Sequence, residues 1–312
     1  MFKKIIAVLL ASLTSAALAV PLGSQSVLVI EDDTGKILLE KNSTVVVPIA
    51  SLTKLMTAMV VLDSKPDMNA PISIDRNDVD MLKHSTSRVP VGATISRHDI
   101  LQLALMSSDN RAAASLARTY PGGPSAFALA VNAKIKALGM TQTVIEEPTG
   151  LSPNNKSTAT DLIKMAVAAS AYPDIRRITT DSKDIINING RQVEYHNSNR
   201  LVGAKGWEIG LSKTGYTEEA GRCLIMRIKS AGKNATLVLL NARANSARVM
   251  DALNIRRFIA GADAEPKVLK ASLHKRPLIS ASAAAPVVLK VSSRKKIRVA
   301  KTSARRHRRV AN

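Results

Sequence analysis

The run SVLVIEDDTGKILLE, early in the chain, reads as a β-hairpin with no strand near it in sequence to pair with. Its two β-rich halves are joined by Asp32-Asp33-Thr34-Gly35, a turn signal. A lone hairpin is marginal in water, so its edge must find further strands. The next strand-like runs come only in the second half: IINING and RQVEYH as another hairpin, then EIGLSKTG, AGRCLIMRIKS and ATLVLLNA as three sequential strands. A chain with strands at both ends and helices between them can close by joining its first hairpin to the later strands. The expected fold class is α+β, an antiparallel sheet packed by helices. No internal repeat is visible.

Between the strand blocks the pattern is helical. In VVVPIASLTKLMTAMVVLDS, Pro48 precedes a helix that begins near Ser51 and is apolar from Leu55 to Leu62. RHDILQLALMSSDNRAAASLART reads as two helices broken at Ser107-Ser108-Asp109-Asn110, because Ser, Asp and Asn favour turns and caps. GGPSAFALAVNAKIKALGM is a helix that Gly139 closes, and Glu147-Pro148-Thr149-Gly150 marks a loop. Ser157 and Thr158 are candidate caps for a helix running to about Ser170, and a last helix spans about Ser246 to Ile259.

The ends of the chain carry different information. MFKKIIAVLLASLTSAALAV has Lys3 and Lys4, a short apolar run and Ala17-Leu18-Ala19, the pattern of a secretory signal peptide over residues 1–19. The mature protein is then expected to be exported and soluble. Its single cysteine, Cys223, rules out an intrachain disulfide and sits in an apolar alternating stretch, as a buried strand cysteine does. The five histidines lack metal-ligand spacing, so neither metal nor cofactor is implied. Of the net charge of +21, the stretch from Pro266 to Asn312 supplies 14 Lys or Arg and no Asp or Glu. Setting aside those and the two signal lysines leaves only +5 for the body of the chain. Residues 20–262 read as one catalytic domain and 263–312 as a basic tail too rich in like charge, Ala and Ser to fold alone.

Three short motifs carry the chemistry. Ser-x-x-Lys occurs five times, from Ser51, Ser230, Ser272, Ser292 and Ser293, but only Ser51 opens an apolar helix. Ser108-Asp109-Asn110 follows 57 residues later between two helices, and Lys213-Thr214-Gly215 another 105 residues on, at the end of a strand. A second Ser-x-Asn, Ser152-Pro153-Asn154, lies in the loop. The trio in this order is a known signature of penicillin-binding proteins and class A β-lactamases.

The residue types suit acyl transfer. A serine hydroxyl is a poor nucleophile until a base takes its proton. Positions i and i+3 share a helix face, so Lys54 reaches Ser51. A free lysine is neutral only about once in 2,500 molecules at pH 7. Burial and a second cation, Lys213, are both expected to lower the Lys54 pKa. The unpaired N–H of Ser51 at the helix start suits an oxyanion. Ser108 then relays a proton to the leaving amine, Asn110 fixes Lys54 and the substrate amide, and Lys213 and Thr214 hold a substrate carboxylate or backbone.

On these motifs and their flanks the chain resembles the serine-type D-alanyl-D-alanine peptidases, the low-molecular-mass penicillin-binding proteins. The strings IASLTKLMTAMVVLD, LALMSSDNRAAASLA, YPGG, EPTGLSPNNKSTATDL and SKTGYTEEAGRCLIMR resemble the D-alanyl-D-alanine endopeptidase branch, the penicillin-binding protein 7 type, from about Gln25 to Ile259. The resemblance implies a helical region on a mostly antiparallel five-stranded sheet, with the active site between them. It implies Ser51 as acylated nucleophile, Lys54 as base, Ser108 and Asn110 as the second motif, and Lys213, Thr214 and Gly215 lining the site. It adds the N–H of Tyr216 to that of Ser51 in the oxyanion hole. The implied reaction cuts D-alanyl-meso-diaminopimelyl cross-links of peptidoglycan in a Gram-negative periplasm, remodelling the wall, with β-lactams acylating Ser51.

The chain departs from the wider family after Ile259, where carboxypeptidases often carry a second β-rich domain and a membrane-binding helix. Here only the basic tail follows, which suits an anionic wall or membrane surface and implies no specific nucleic acid. Three alternatives stand beside the endopeptidase. A class A β-lactamase needs a deacylating Glu-x-x-Leu-Asn, whereas Glu147 is followed by Pro-Thr-Gly. A D-alanyl-D-alanine carboxypeptidase attacks the same carbonyl with a different leaving group. A non-catalytic wall-binding protein would work through its tail.

Overall fold

The computed structural model describes residues 20–261. The expected signal peptide and basic tail lie outside the described residues. Strands β1 (Ser26–Glu31) and β2 (Ile37–Lys41) form the first hairpin. Strand β3 (Val47–Pro48) leads through a 3-10 turn, Ala50–Leu52, into α1 (Thr53–Asp63). Strands β4 (Pro71–Ser73) and β5 (Thr94–Ser96) pair with each other ahead of α2 (Arg97–Leu105), α3 (Asn110–Arg118) and α4 (Gly123–Ala137). Strand β6 (Lys156–Ser157) returns to pair with β3, followed by α5 (Ala159–Ala169) and α6 (Pro173–Thr180). The hairpin β7 (Lys183–Ile188) and β8 (Arg191–His196), the long strands β9 (Glu208–Thr217), β10 (Gly221–Ser230) and β11 (Lys233–Ala242), and α7 (Asn245–Ile259) complete the chain.

The main sheet has five strands in the order β2-β1-β11-β10-β9, every pair antiparallel. The first hairpin does join the last strands, with Val27 opposite Leu239. Both faces of this sheet are covered, which is why its strands read as unbroken apolar runs. Val27, Val29, Leu224, Met226, Leu237 and Leu239 pack with Ala252, Ile255 and Ile259 of α7. Their neighbours Leu28, Ile225, Val238 and Leu240 turn to the other face and join the helical core. Alternate residues of a strand point to opposite faces, so one run of Val and Leu feeds two cores.

Helix α1 runs through the middle of that helical core, with Thr53 to Val61 buried without interruption. A helix that is apolar all round belongs inside. It contacts α2 through α6, so the residues at its start are positioned by most of the fold.

Two local details differ from the sequence reading, and a third, the β7–β8 hairpin, agrees with it. The cap of α5 is Thr158, whose hydroxyl accepts the Asp161 N–H at 3.1 Å, while Ser157 lies in β6 and bonds Thr143. Helix α6 has no counterpart in the sequence reading, because PDIRRITT offers only Ile175 and Ile178 as an apolar stripe; both are buried. The β7–β8 hairpin stands as its own two-stranded sheet. It turns on Asn189 (φ +52°) and Gly190 (φ +81°), the left-handed pair that a two-residue hairpin turn demands.

Candidate active site

The site starts from a backbone that must be held in place. Ala50, just before Ser51, has φ +47°, a conformation that costs a non-glycine residue on the order of 1–3 kcal/mol. Two glycines let neighbouring backbone close on it. A Cβ on Gly150 (φ +88°) would lie 1.9 Å from the carbonyl oxygen of Ala50. One on Gly215 would lie 3.1 Å from the nitrogen of Ser51 and 3.0 Å from the Ile49 oxygen. Glycine at 215 therefore brings edge strand β9 against the N–H of Ser51. That N–H lies in the 3-10 turn that opens the helix, with α1 proper beginning at Thr53.

Lys54 is 1% exposed and does not escape to water. Its Nζ donates to Ser51 Oγ at 2.8 Å, Asn110 Oδ1 at 2.6 Å and the Thr149 carbonyl at 2.7 Å. An ammonium has three protons and finds three acceptors. A neutral amine keeps two of these bonds and turns its lone pair to the one partner able to donate, the Ser51 hydroxyl. Burial lowers the Lys54 pKa to about 8, partly offset by the negative fields of Glu147, Asp109 and Asp80. At pH 7 about one molecule in ten then carries the neutral amine. Burial is the largest cause of the depression, and Lys54 and Lys213 repel each other.

Lys213 is equally buried and donates to Ser108 Oγ at 2.8 Å and to the Thr214 carbonyl at 3.0 Å. Burial, then the charge of Lys54, then that of Arg248, push its pKa well below the ordinary lysine value. Ser108 is the second strained residue, at φ +63°, between α2 and α3. Asp109 behind it caps α3 by accepting the Ala112 N–H at 2.9 Å, which leaves Asn110 as the first helical residue, facing Lys54.

The loop after α4 closes the site from below. The Glu147 carboxylate accepts the N–H groups of Thr149, Gly150 and Leu151 at 2.6 to 2.8 Å, the Thr149 hydroxyl at 2.5 Å and the Asn155 amide at 3.1 Å. It is spent on folding the loop that aims the Thr149 carbonyl at Lys54. It is not poised to activate water.

All eight residues singled out in the sequence fall in one place. Ser51, Lys54 and Asn110 form one hydrogen-bonded group, and Ser108 and Lys213 a second. Thr214 Oγ1 donates to Ser198 Oγ at 2.7 Å, Gly215 packs on Ser51, and Tyr216 is half exposed under the Arg222 guanidinium, 3.5 Å from its ring centre. The decoy motifs fall elsewhere: Ser152 and Asn154 bind Glu146, and Ser230 bonds the Arg256 carbonyl. The sequence reading missed Thr149, Ser85 (which accepts the Asn110 amide at 2.8 Å), Ser198 and the buried Arg248. Thr149 had a signal in its Pro-Thr-Gly loop; the others had none. Cys223 is buried, and burial pushes its thiol up to about 11, so it stays protonated.

Comparison with known proteins identifies the family. The sequence pattern of the D-alanyl-D-alanine carboxypeptidase family (Peptidase S11) matches residues 13–244. The chain is 47% identical over 240 residues to a D-alanyl-D-alanine endopeptidase of Pseudomonas aeruginosa, covering 76% of this chain and 77% of that one. It is 41% identical over 257 residues to a D-alanyl-D-alanine endopeptidase of Escherichia coli, covering 82% and 83%. Among solved structures, a point mutant of a Streptomyces DD-transpeptidase superposes with a TM-score of 0.70 at 25% identity, covering 76% of this chain and 98% of that one.

Proposed function

This chain belongs to the D-alanyl-D-alanine carboxypeptidase family of serine peptidases, and we propose that within it the protein is an endopeptidase that hydrolyses D-alanyl-meso-diaminopimelyl cross-links of peptidoglycan. The observation that carries the chemistry is the contact of a dry, pKa-depressed Lys54 with Ser51 Oγ. The endopeptidase choice draws its support from the two relatives above 40% identity, both bearing that name.

The steps follow from the contacts. Ser51 Oγ attacks the D-alanyl carbonyl while its proton passes to Lys54 Nζ, and the oxyanion settles between the N–H groups of Ser51 and Tyr216. The C–N bond breaks as the departing amine takes, through Ser108, the proton that Lys54 had received, which leaves Lys54 neutral again. A water then attacks the ester and gives its proton to Lys54, and the tetrahedral adduct expels Ser51, whose Oγ takes that proton back. Asn110 holds Lys54 and the substrate amide. Lys213, Thr214 and Gly215 line the groove, with Lys213 as a hydrogen-bond donor and Arg248 supplying positive charge for the carboxylate next to the cut bond.

Because the base must be neutral, acylation is expected to fall about tenfold per pH unit below about pH 8 and to level off above it. A rate profile of penicillin acylation from pH 5.5 to 9.5 reads this, and a profile flat across that range contradicts it. The acyl-enzyme formed from a β-lactam is expected to persist, since Glu147 is committed to its loop. Nitrocefin turnover faster than about one per minute would count against that step.

The runner-up is a D-alanyl-D-alanine carboxypeptidase, the activity in the name of a Bacillus subtilis relative 30% identical over 225 residues. Mass spectrometry of muropeptides separates the two. The endopeptidase turns a cross-linked dimer into monomers, whereas a carboxypeptidase only shortens a monomeric pentapeptide. We place the enzyme in the periplasm after removal of residues 1–19, and assign segment 263–312, with its 14 cations, to an anionic wall or membrane surface. Deleting residues 267–312 should weaken binding to wall sacculi at low salt and leave penicillin acylation unchanged.

A further inference from the structure

The contacts that lead away from Lys213 do not stop at the sheet edge. Lys213 joins Ser108 to the Thr214 carbonyl, and Thr214 Oγ1 donates to Ser198 Oγ at 2.7 Å. Ser198 is also a wall of a cleft of about 540 Å³ whose other faces include Ser182, His196, Arg200 and Val202. Ser108 is the group placed to protonate the departing amine, so this path marks the side on which the leaving group lies.

The two candidate substrates differ on that side. A departing D-alanine is small and ends near Lys213 and Thr214. A departing diaminopimelyl residue carries a second stem peptide, with further carboxylates, and needs room beyond Thr214. We propose that the cleft beside Ser198 is the subsite for the departing peptide strand of a cross-linked substrate, with Arg200 holding one of its carboxylates; this rests on the endopeptidase reading.

The cleft wall is built to hold its shape. The Asn197 amide donates to the carbonyls of Thr179 (3.1 Å) and Asp181 (2.8 Å), and its oxygen accepts the Asn199 N–H at 2.9 Å. Asn199 accepts from Leu201 and donates to Ser212 Oγ of β9, and the Ser198 N–H bonds the Met106 carbonyl beside the Ser108 turn. Both asparagines are consumed in fixing the segment between β9 and the second motif. The charge also fits: the lining residues include His196 and Arg200 and no carboxylate. His196 is occupied with Glu194 at 3.2 Å, which also pairs with Lys183, whereas Arg200 has no ion-pair partner among the described residues. An exposed guanidinium beside a polar cleft binds a carboxylate in bidentate fashion.

The test measures dimer cleavage, pentapeptide trimming and penicillin acylation for wild type, Arg200→Ala and Arg200→Lys of the full protein. Arg200→Ala should lower kcat/KM on the cross-linked dimer about fivefold, mostly through KM, while penicillin acylation and any pentapeptide trimming stay at wild-type rates. Arg200→Lys should recover only part of the loss, because an ammonium keeps the charge and lacks the bidentate fork. Equal dimer cleavage by wild type and Arg200→Ala, or an equal drop on all three probes, overturns the subsite and leaves the endopeptidase reading standing. A wild type that trims pentapeptide but leaves the dimer intact removes that reading, and the subsite with it.

Discussion

Replacing Lys54 by methionine should slow acylation of Ser51 by about 10⁴-fold, the upper range for loss of a general base. Methionine fills much of the same volume, so the fold should survive. The two orphaned acceptors, Asn110 Oδ1 and the Thr149 carbonyl, cost stability, but the cost of burying an ammonium disappears with the side chain. Lys54→Arg keeps the positive charge yet cannot give up a proton at any working pH. If Lys54 acts as a base, the arginine variant is as slow as the methionine one. If it acts only as a fixed charge, arginine rescues. Rapid-mixing kinetics with a fluorescent penicillin, beside a thermal melt of each variant, reads both.

The second large effect is expected far from any titratable group. Gly150→Ala adds a Cβ 1.9 Å from the Ala50 carbonyl oxygen at a residue whose φ is +88°. Neither backbone can stay. The loop must withdraw, taking the Thr149 carbonyl off Lys54 and relaxing the strained turn that presents Ser51. A stability loss of at least about 3 kcal/mol and an activity loss of about 100-fold in the folded fraction are expected. Urea unfolding measures the first and penicillin acylation the second. A variant as stable and as fast as wild type would mean that this loop does not set the site.

These two residues also mark what could be read from the sequence. The Ser51–Lys54 pair was legible because its chemistry and its helix face are local: three residues apart, on an apolar helix, they must meet. The antiparallel sheet was legible in outline because the first hairpin is expected to join the later strands, as β1 does on β11; its five strands were implied only by the family resemblance. Gly150 read as a loop residue and nothing more, since its role depends on Ala50, distant in sequence and adjacent only once the chain has folded. Glu147 was legible only by what it lacked; its six donors come from a loop whose path no periodicity encodes. Ser85, Ser198 and Arg248 were silent for the same reason. Each is a common residue type with no motif around it, and each matters through a contact made by tertiary packing.

The account turns on Ser51 becoming acylated with Lys54 as its base. Intact-protein mass spectrometry after incubation with benzylpenicillin tests it most directly, with peptide mapping of the adduct and Ser51→Ala alongside. The expected result is one penicilloyl group per chain on the peptide carrying Ser51, stable for many minutes, and none on Ser51→Ala. An adduct that maps to another residue, or that forms equally on Ser51→Ala, would contradict the account at its root.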